Sequence, residues 1–71
     1  MQLSARNQLK GKVKSIKRGG IMSEVVVTLD KGGEEVVAAI TLSSVDRLKL
    51  KEGSTVSVVI KSTEVMLATE D

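Results

Sequence analysis

The chain has no cysteine, no histidine and no phenylalanine, tyrosine or tryptophan. Without cysteine there are no disulfides, and without cysteine or histidine the usual zinc ligands are missing. Few general acid–base or nucleophilic groups remain. Serine and threonine are plentiful, but no good base is present to activate them. The composition therefore argues against an enzyme. No apolar run approaches the roughly 20 residues of a membrane span, and the N-terminus lacks an apolar stretch of signal-peptide length. The missing cysteine fits a cytoplasmic protein.

The absence of aromatics bears on stability. Seventy-one residues make one domain, and a domain this short buries only about 60% of the surface its unfolded chain exposes. Its core must be built from Val, Leu, Ile, Ala and Met, without the side chains that bury the most area. With disulfides and zinc excluded, self-association is the remaining way to add burial.

Acid is missing from the N-terminal third. Residues 1–23 hold Arg6, Lys10, Lys12, Lys14, Lys17 and Arg18 and no carboxylate, whereas residues 24–71 hold five basic and nine acidic side chains. Such an end can face an anion. The plainer reading is a solvated strand face balanced by an acidic half.

What is present reads mainly as β-structure. Residues 10–17 alternate, with Gly11, Val13 and Ser15 against Lys10, Lys12 and Lys14, so one face is polar. Arg18 to Gly20 is a turn. Met22 to Asp30 is rich in β-branched residues, with Val25, Val27 and Leu29 on one face. Asp30 to Glu34 supplies glycines for a hairpin loop. The following strand places Val36, Ala38, Ile40 and Leu42 on one face. The period then changes: Leu42, Val45 and Leu48 are three apart, and Ser43 with Asp46 resembles a capping box, which predicts one or two helical turns. After a turn at Lys51 to Gly53, Val56, Val58 and Ile60 share a face. A last strand is expected in "STEVMLA", Ser62 to Ala68. Five strands with a short helix before the fourth predict an all-β fold, a small five-stranded Greek-key barrel of the oligonucleotide/oligosaccharide-binding (OB) type. Val26, Val37, Val59 and Met66 fall opposite the core set and suggest an interface between copies.

Two segments carry a resemblance: "SARNQLKGKV", Ser4 to Val13, and "GSTVSVVIKSTEVML", Gly53 to Leu67. Together they resemble the molbindins, the small Mop proteins built from a single Mop/TOBE domain. The likeness spans nearly all of residues 2–68 and makes residues 1–71 one such domain. It implies an OB-type barrel that assembles as a homo-oligomer, a hexamer built as a trimer of dimers. It also implies binding of molybdate or tungstate oxyanions between subunits, for storage and homeostasis in the cytoplasm. The positions it carries over as oxyanion-binding are Ser4, Ala5, Arg6 and Asn7, with Lys61 and Ser62. Ser43, at the helix start, is a candidate for a second kind of site. No catalytic residue, membrane or nucleic acid is implied, and the metal enters only as its oxyanion.

The residue chemistry agrees with that implication. A tetrahedral dianion needs donors and no carboxylate at contact distance. Serine hydroxyls and the asparagine amide supply neutral donors. Arg6 and Lys61 supply charge-assisted bonds, roughly twice as strong as neutral ones. Each residue also has a plainer role. Ser4 can begin a turn, Asn7 can form an Asx-turn, and Lys61 and Ser62 can be a solvated strand end. Two other functions stand as alternatives. One is a regulatory or oligomerisation module of a molybdate transporter or regulator, although Met1 and the acidic Glu70–Asp71 end suit a free-standing protein. The other is nucleic-acid binding, which in OB barrels relies on aromatic platforms worth about 1–3 kcal/mol per base; this chain has none.

Overall fold

The computed structural model describes residues 2–70; Met1 and Asp71, the two ends of the sequence, lie outside the described residues. Four strands form one antiparallel sheet: β1 (Asn7–Arg18), β2 (Met22–Leu29), β3 (Glu35–Thr41) and β4 (Thr55–Ile60), with a short helix α1 (Leu42–Arg47) between β3 and β4. The strand order is β3-β2-β1-β4. β1 is the spine of the sheet, pairing with β2 on one side and β4 on the other.

A small aliphatic core lies inside the curl. Val13, Val25, Val27 and Val45 are buried, and Ile16, Leu29, Ile40, Leu50, Val56 and Val58 pack against them. Val45, on α1, is fully buried. One residue of β1 breaks the simple alternation. Val13 lies opposite Val27, but Ser15, not Lys14, lies opposite Val26, so Lys14 is the extra residue of a β-bulge. The bulge flips the parity of β1 and turns Ile16, which falls on the lysine side of the pattern, inward opposite Val25. Such an insertion also sharpens strand bend and twist.

Close approach explains Gly11. It pairs with Leu29 on one side and Val56 on the other. A Cβ there would sit 2.5 Å from the Thr28 carbonyl oxygen and 2.7 Å from Val27 Cγ1.

The helix is capped two residues earlier than the sequence suggests. Thr41, not Ser43, is the N-cap: its Oγ1 accepts from the Ser44 amide at 3.1 Å and donates to Ser44 Oγ at 2.8 Å. Thr41 is the last β3 residue in register with β2, opposite Met22, so the backbone leaves the ladder there and its hydroxyl is the one facing the first turn. Asp46 is drawn away from a capping role by Arg18, whose Nη1 lies 2.8 Å from its Oδ1.

At its other end α1 closes with a Schellman arrangement. The Lys49 amide donates to the Asp46 carbonyl at 3.1 Å and the Leu50 amide to the Val45 carbonyl at 3.0 Å. Lys49 occupies the left-handed position, φ 54°, where glycine is the usual residue. An L side chain costs about 1–2 kcal/mol there. Lys49→Gly should therefore raise stability by about 1 kcal/mol, a gain of about 4–8 °C in melting temperature for a domain of this size. Differential scanning calorimetry reads this directly.

Among the described residues, one buried side-chain polar atom is unmatched. Ser23 is 3% exposed and its Oγ has no hydrogen-bond partner. An unsatisfied buried hydroxyl costs about 1–3 kcal/mol, so Ser23→Ala should stabilise the chain by about 1 kcal/mol in urea unfolding. A loss instead would show that the hydroxyl gains a partner in the assembled protein.

The fifth strand is absent from the described residues. After β4, Ser62–Glu64 form a single 3-10 turn, and Val65 to Glu70 are unpaired and exposed. Met66 and Leu67 are 92% and 94% exposed. The fold is thus a curled, open four-stranded sheet with one short helix, not a closed five-stranded barrel within one chain. Its two edge strands, β3 and β4, do not pair, and an apolar mouth between them is lined by Ala38, Ile40, Leu48, Leu50, Val56 and Val58. The apolar residues expected outside the core are outside it: Val37, Val59 and Met66 are exposed and Val26 is half-buried.

Candidate oxyanion site

β1 is longer at its N-terminus than its alternation predicts, and that extension builds the site. Residues Asn7 to Lys10 pair with β4, placing Asn7 opposite Ile60, Gln8 opposite Val59 and Leu9 opposite Val58. Asn7 opens β1 and Ile60 ends β4, so the two sequence segments meet at one corner of the sheet. Ser4, Ala5 and Arg6 lead into Asn7, and Lys61 and Ser62 follow Ile60. The Gln8 side chain steadies the approach, donating from Nε2 to the Ala5 carbonyl at 3.1 Å. Gln8 was not among the sequence candidates.

The corner is open and rich in donors. Ala5 is half-buried; Ser4, Arg6, Asn7, Lys61 and Ser62 are exposed. Among the described residues, no side-chain hydrogen bond or ion pair engages Ser4, Arg6, Asn7, Lys61 or Ser62. Glu64 is the nearest acid along the chain and pairs with neither cation. Elsewhere on β1 three cations are matched, Lys12 with Asp30 at 3.4 Å, Lys14 with Glu35 and Arg18 with Asp46, while Lys10 and Lys17 make no ion pair among the described residues. These exposed pairs each contribute at most about 1 kcal/mol. Their effect on charge is larger, because they neutralise half of the N-terminal basic cluster and leave Arg6 available.

Ser43 does not join this corner. It lies at the start of α1, in a shallow cleft with Gly20, Ile21, Thr41, Leu42 and Asp46. That cleft is at the far end of β1, whose 12 residues rise about 3.3 Å each. Ser43 Oγ is 3.1 Å from Thr41 Oγ1 and is tied into the cap. Among the described residues no cluster of carboxylates is placed to hold a metal cation.

Chemically, the corner can surround a small tetrahedral anion on one side. Two cationic residues and several neutral donors lie on the adjoining chain ends of this corner, and among the described residues no ion pair engages either cation. This defines a small all-β ligand-recognition domain that presents its donors from paired strand ends. The TOBE domain family matches residues 3–67, and the chain belongs to that family. It is 51% identical over 67 residues to molybdenum-pterin-binding protein 1 of Clostridium pasteurianum, covering 94% of this chain and 97% of that one. It superposes on MopII from Clostridium pasteurianum with a TM-score of 0.89 at 46% identity, covering 96% of this chain and 100% of that one. It also matches a molybdate-binding protein from Sporomusa ovata, with a TM-score of 0.87 at 40% identity over 97% of this chain and 100% of that one.

Proposed function

We propose that this protein binds molybdate or tungstate as intact tetrahedral oxyanions at sites shared between copies, and so maintains a cytoplasmic store of the anion. The observation that carries the reading is the corner where Asn7 meets Ile60, which brings Arg6 and Lys61 together with no carboxylate engaged. The relatives are binding proteins by name, molybdenum-pterin-binding in Clostridium pasteurianum and molybdate-binding in Sporomusa ovata. A pterin would call for stacking on an aromatic ring, and this chain has none. The donor set suits the oxyanion instead.

One chain leaves the corner exposed, so a second must cover it. That requirement supports a homo-oligomer, with the hexameric trimer of dimers as the assembly. The exposed Val37, Val59 and Met66 supply apolar contact area for it. A helper role for Ser43 at a separate site is part of the same proposal. No residue is assigned a catalytic role. Nucleic acid is disfavoured by the lack of aromatic platforms and by the pairing of Lys12, Lys14 and Arg18 with carboxylates.

Selectivity tests the reading. A cage of donors accepts a fully deprotonated dianion but leaves a donor facing a donor when phosphate keeps a proton, at about 1–3 kcal/mol for the unsatisfied group. Sulfate carries no proton and is rejected only by its smaller size. Competition calorimetry near neutral pH should rank molybdate and tungstate as tight and similar, sulfate as weaker and phosphate as weakest. Equal displacement by phosphate would reduce the site to a patch of positive charge.

A further inference from the structure

Size can exclude sulfate only if some of the donors cannot move. Arg6 and Lys61 are exposed, and among the described residues neither makes an ion pair. Cations on such long, free stems follow a smaller ion inward. Serine hydroxyls rotate to suit their acceptor, so Ser4 and Ser62 adapt as well. A fixed donor behaves differently. Hydrogen bonds from N–H to oxygen span about 2.7–3.2 Å, so an ion whose oxygens fall short of a fixed N–H loses that bond. Discrimination by size therefore needs a rigid element at the corner.

One element there is locked. Gln8 Nε2 donates to the Ala5 carbonyl at 3.1 Å. Among the described residues this is the one side-chain hydrogen bond made to residues 2–6, and no backbone bond outside the strand ladders reaches them. The Ala5 carbonyl and the Arg6 N–H belong to one peptide unit, planar and trans, in which the two groups point opposite ways. Holding the carbonyl therefore aims the Arg6 N–H away from Gln8. The lock is itself anchored: Gln8 is paired with Val59 in the β1–β4 ladder, and Ala5 is half-buried. Across the corner the backbone after Ile60 is closed into a turn by the Glu64 amide on the Lys61 carbonyl at 2.9 Å. The Asn7–Ile60 pair joins these two stretches of backbone, so their spacing is set by the fold and not by a ligand.

We propose that Gln8 is the positioning residue that sets size selectivity at the corner: it holds the Ala5–Arg6 peptide so that the Arg6 N–H is a fixed donor, spaced for molybdate or tungstate and too distant for sulfate. The inference rests on the reading of Ser4 to Asn7 as oxyanion ligands. Without the Gln8 amide, the segment ahead of β1 hinges at Ala5 and follows whichever ion is bound. Sulfate then recovers the bond it lacked, while molybdate loses a donor already in place. Charge at the corner is unchanged, so both ions still bind, and what is lost is the difference between them.

Competition calorimetry of the full chain, with sodium sulfate displacing sodium molybdate at constant ionic strength near neutral pH, gives the ratio of the two affinities. Gln8→Ala should lower that ratio about tenfold, the discrimination of roughly one hydrogen bond. Gln8 is exposed, so the melting temperature should hold. Lys10→Ala is the control. Lys10 shares a face with Gln8 and makes no ion pair among the described residues, so its loss should weaken both anions by the same factor and leave the ratio unchanged. An unchanged ratio in Gln8→Ala overturns the proposal, and so does an equal fall in Lys10→Ala. NMR relaxation of the anion-free protein reads the lock by itself. The order parameter of the Arg6 amide should drop from a rigid value of about 0.85 to below about 0.6 in Gln8→Ala; equal values in the two proteins overturn the lock. A wild type that binds no molybdate overturns the proposed function and this selectivity with it. Failure of the Gln8 proposal alone leaves wild-type molybdate binding intact, so the two results are distinct.

Discussion

Gly11→Val should remove a large share of the protein's stability. The residue lies in the middle of the spine strand, between Leu29 of β2 and Val56 of β4, so it cannot move toward either neighbour without breaking a ladder. An added Cβ would meet the Thr28 carbonyl oxygen at 2.5 Å and Val27 Cγ1 at 2.7 Å. The first is backbone and cannot rotate away; the second belongs to the buried core. Overpacking a side chain alone costs about 1–3 kcal/mol, and here a strand must also shift. The expected loss is at least about 3 kcal/mol, against a total of about 4–10 kcal/mol for a chain of this length. Circular dichroism and urea unfolding measure it. Gly20→Ala is the control: nothing lies within 4 Å of a Cβ there, so it should change stability by less than about 0.5 kcal/mol. Equal behaviour of the two variants would show that the strands do not approach as described.

Removing both corner cations should nearly abolish oxyanion binding. Arg6 and Lys61 lie on adjoining strands just beyond the same end of the Asn7–Ile60 pair, and in the proposed function both bind the anion. Each charge-assisted bond contributes about 1.5–3 kcal/mol, so the double substitution Arg6→Ala, Lys61→Ala should weaken molybdate binding by about two to four orders of magnitude. Both side chains are exposed in the single chain and engage no carboxylate, so the fold should persist. The single variants complete a cycle, and coupling is expected because the two groups share one ligand. Calorimetric titration gives the affinities. Unchanged binding in the double variant would mean that the anion sits elsewhere on the surface.

The regular elements were largely legible because their burial is one-sided. β2 buries alternate residues from Ser23 to Val27, β3 and β4 half-bury alternate residues, and the period change at Leu42 marked α1 within one residue of its observed start. Three features were hidden. The bulge at Lys14 leaves no mark except Ile16 on the wrong parity, because an inserted residue carries no required side chain. The cap moved from Ser43 to Thr41 because several hydroxyls compete there and the end of the β2–β3 ladder decides between them. The last segment does alternate, but alternation states that a strand wants a partner and not which chain supplies it. The site was legible as two motifs only. Their meeting depends on the register of Asn7 against Ile60, a long-range pairing that no local pattern encodes. The Arg18–Asp46 pair is likewise long-range, joining the far end of β1 to α1, whereas the Gln8 bond to Ala5 is local.

That register also orders events in time. The β1–β2 and β2–β3 ladders join neighbours through short turns, whereas the β1–β4 ladder must bring together positions 7 and 60. Loop closure over such a separation is entropically opposed until the intervening chain has compacted. The three-stranded meander therefore zips first, and β4 docks onto a spine already in place. The corner formed by Arg6 and Lys61 should then be the last part of the chain to form on folding and the first to fray. In a newly made chain, an anion site at this corner should mature later than the bulk of the backbone.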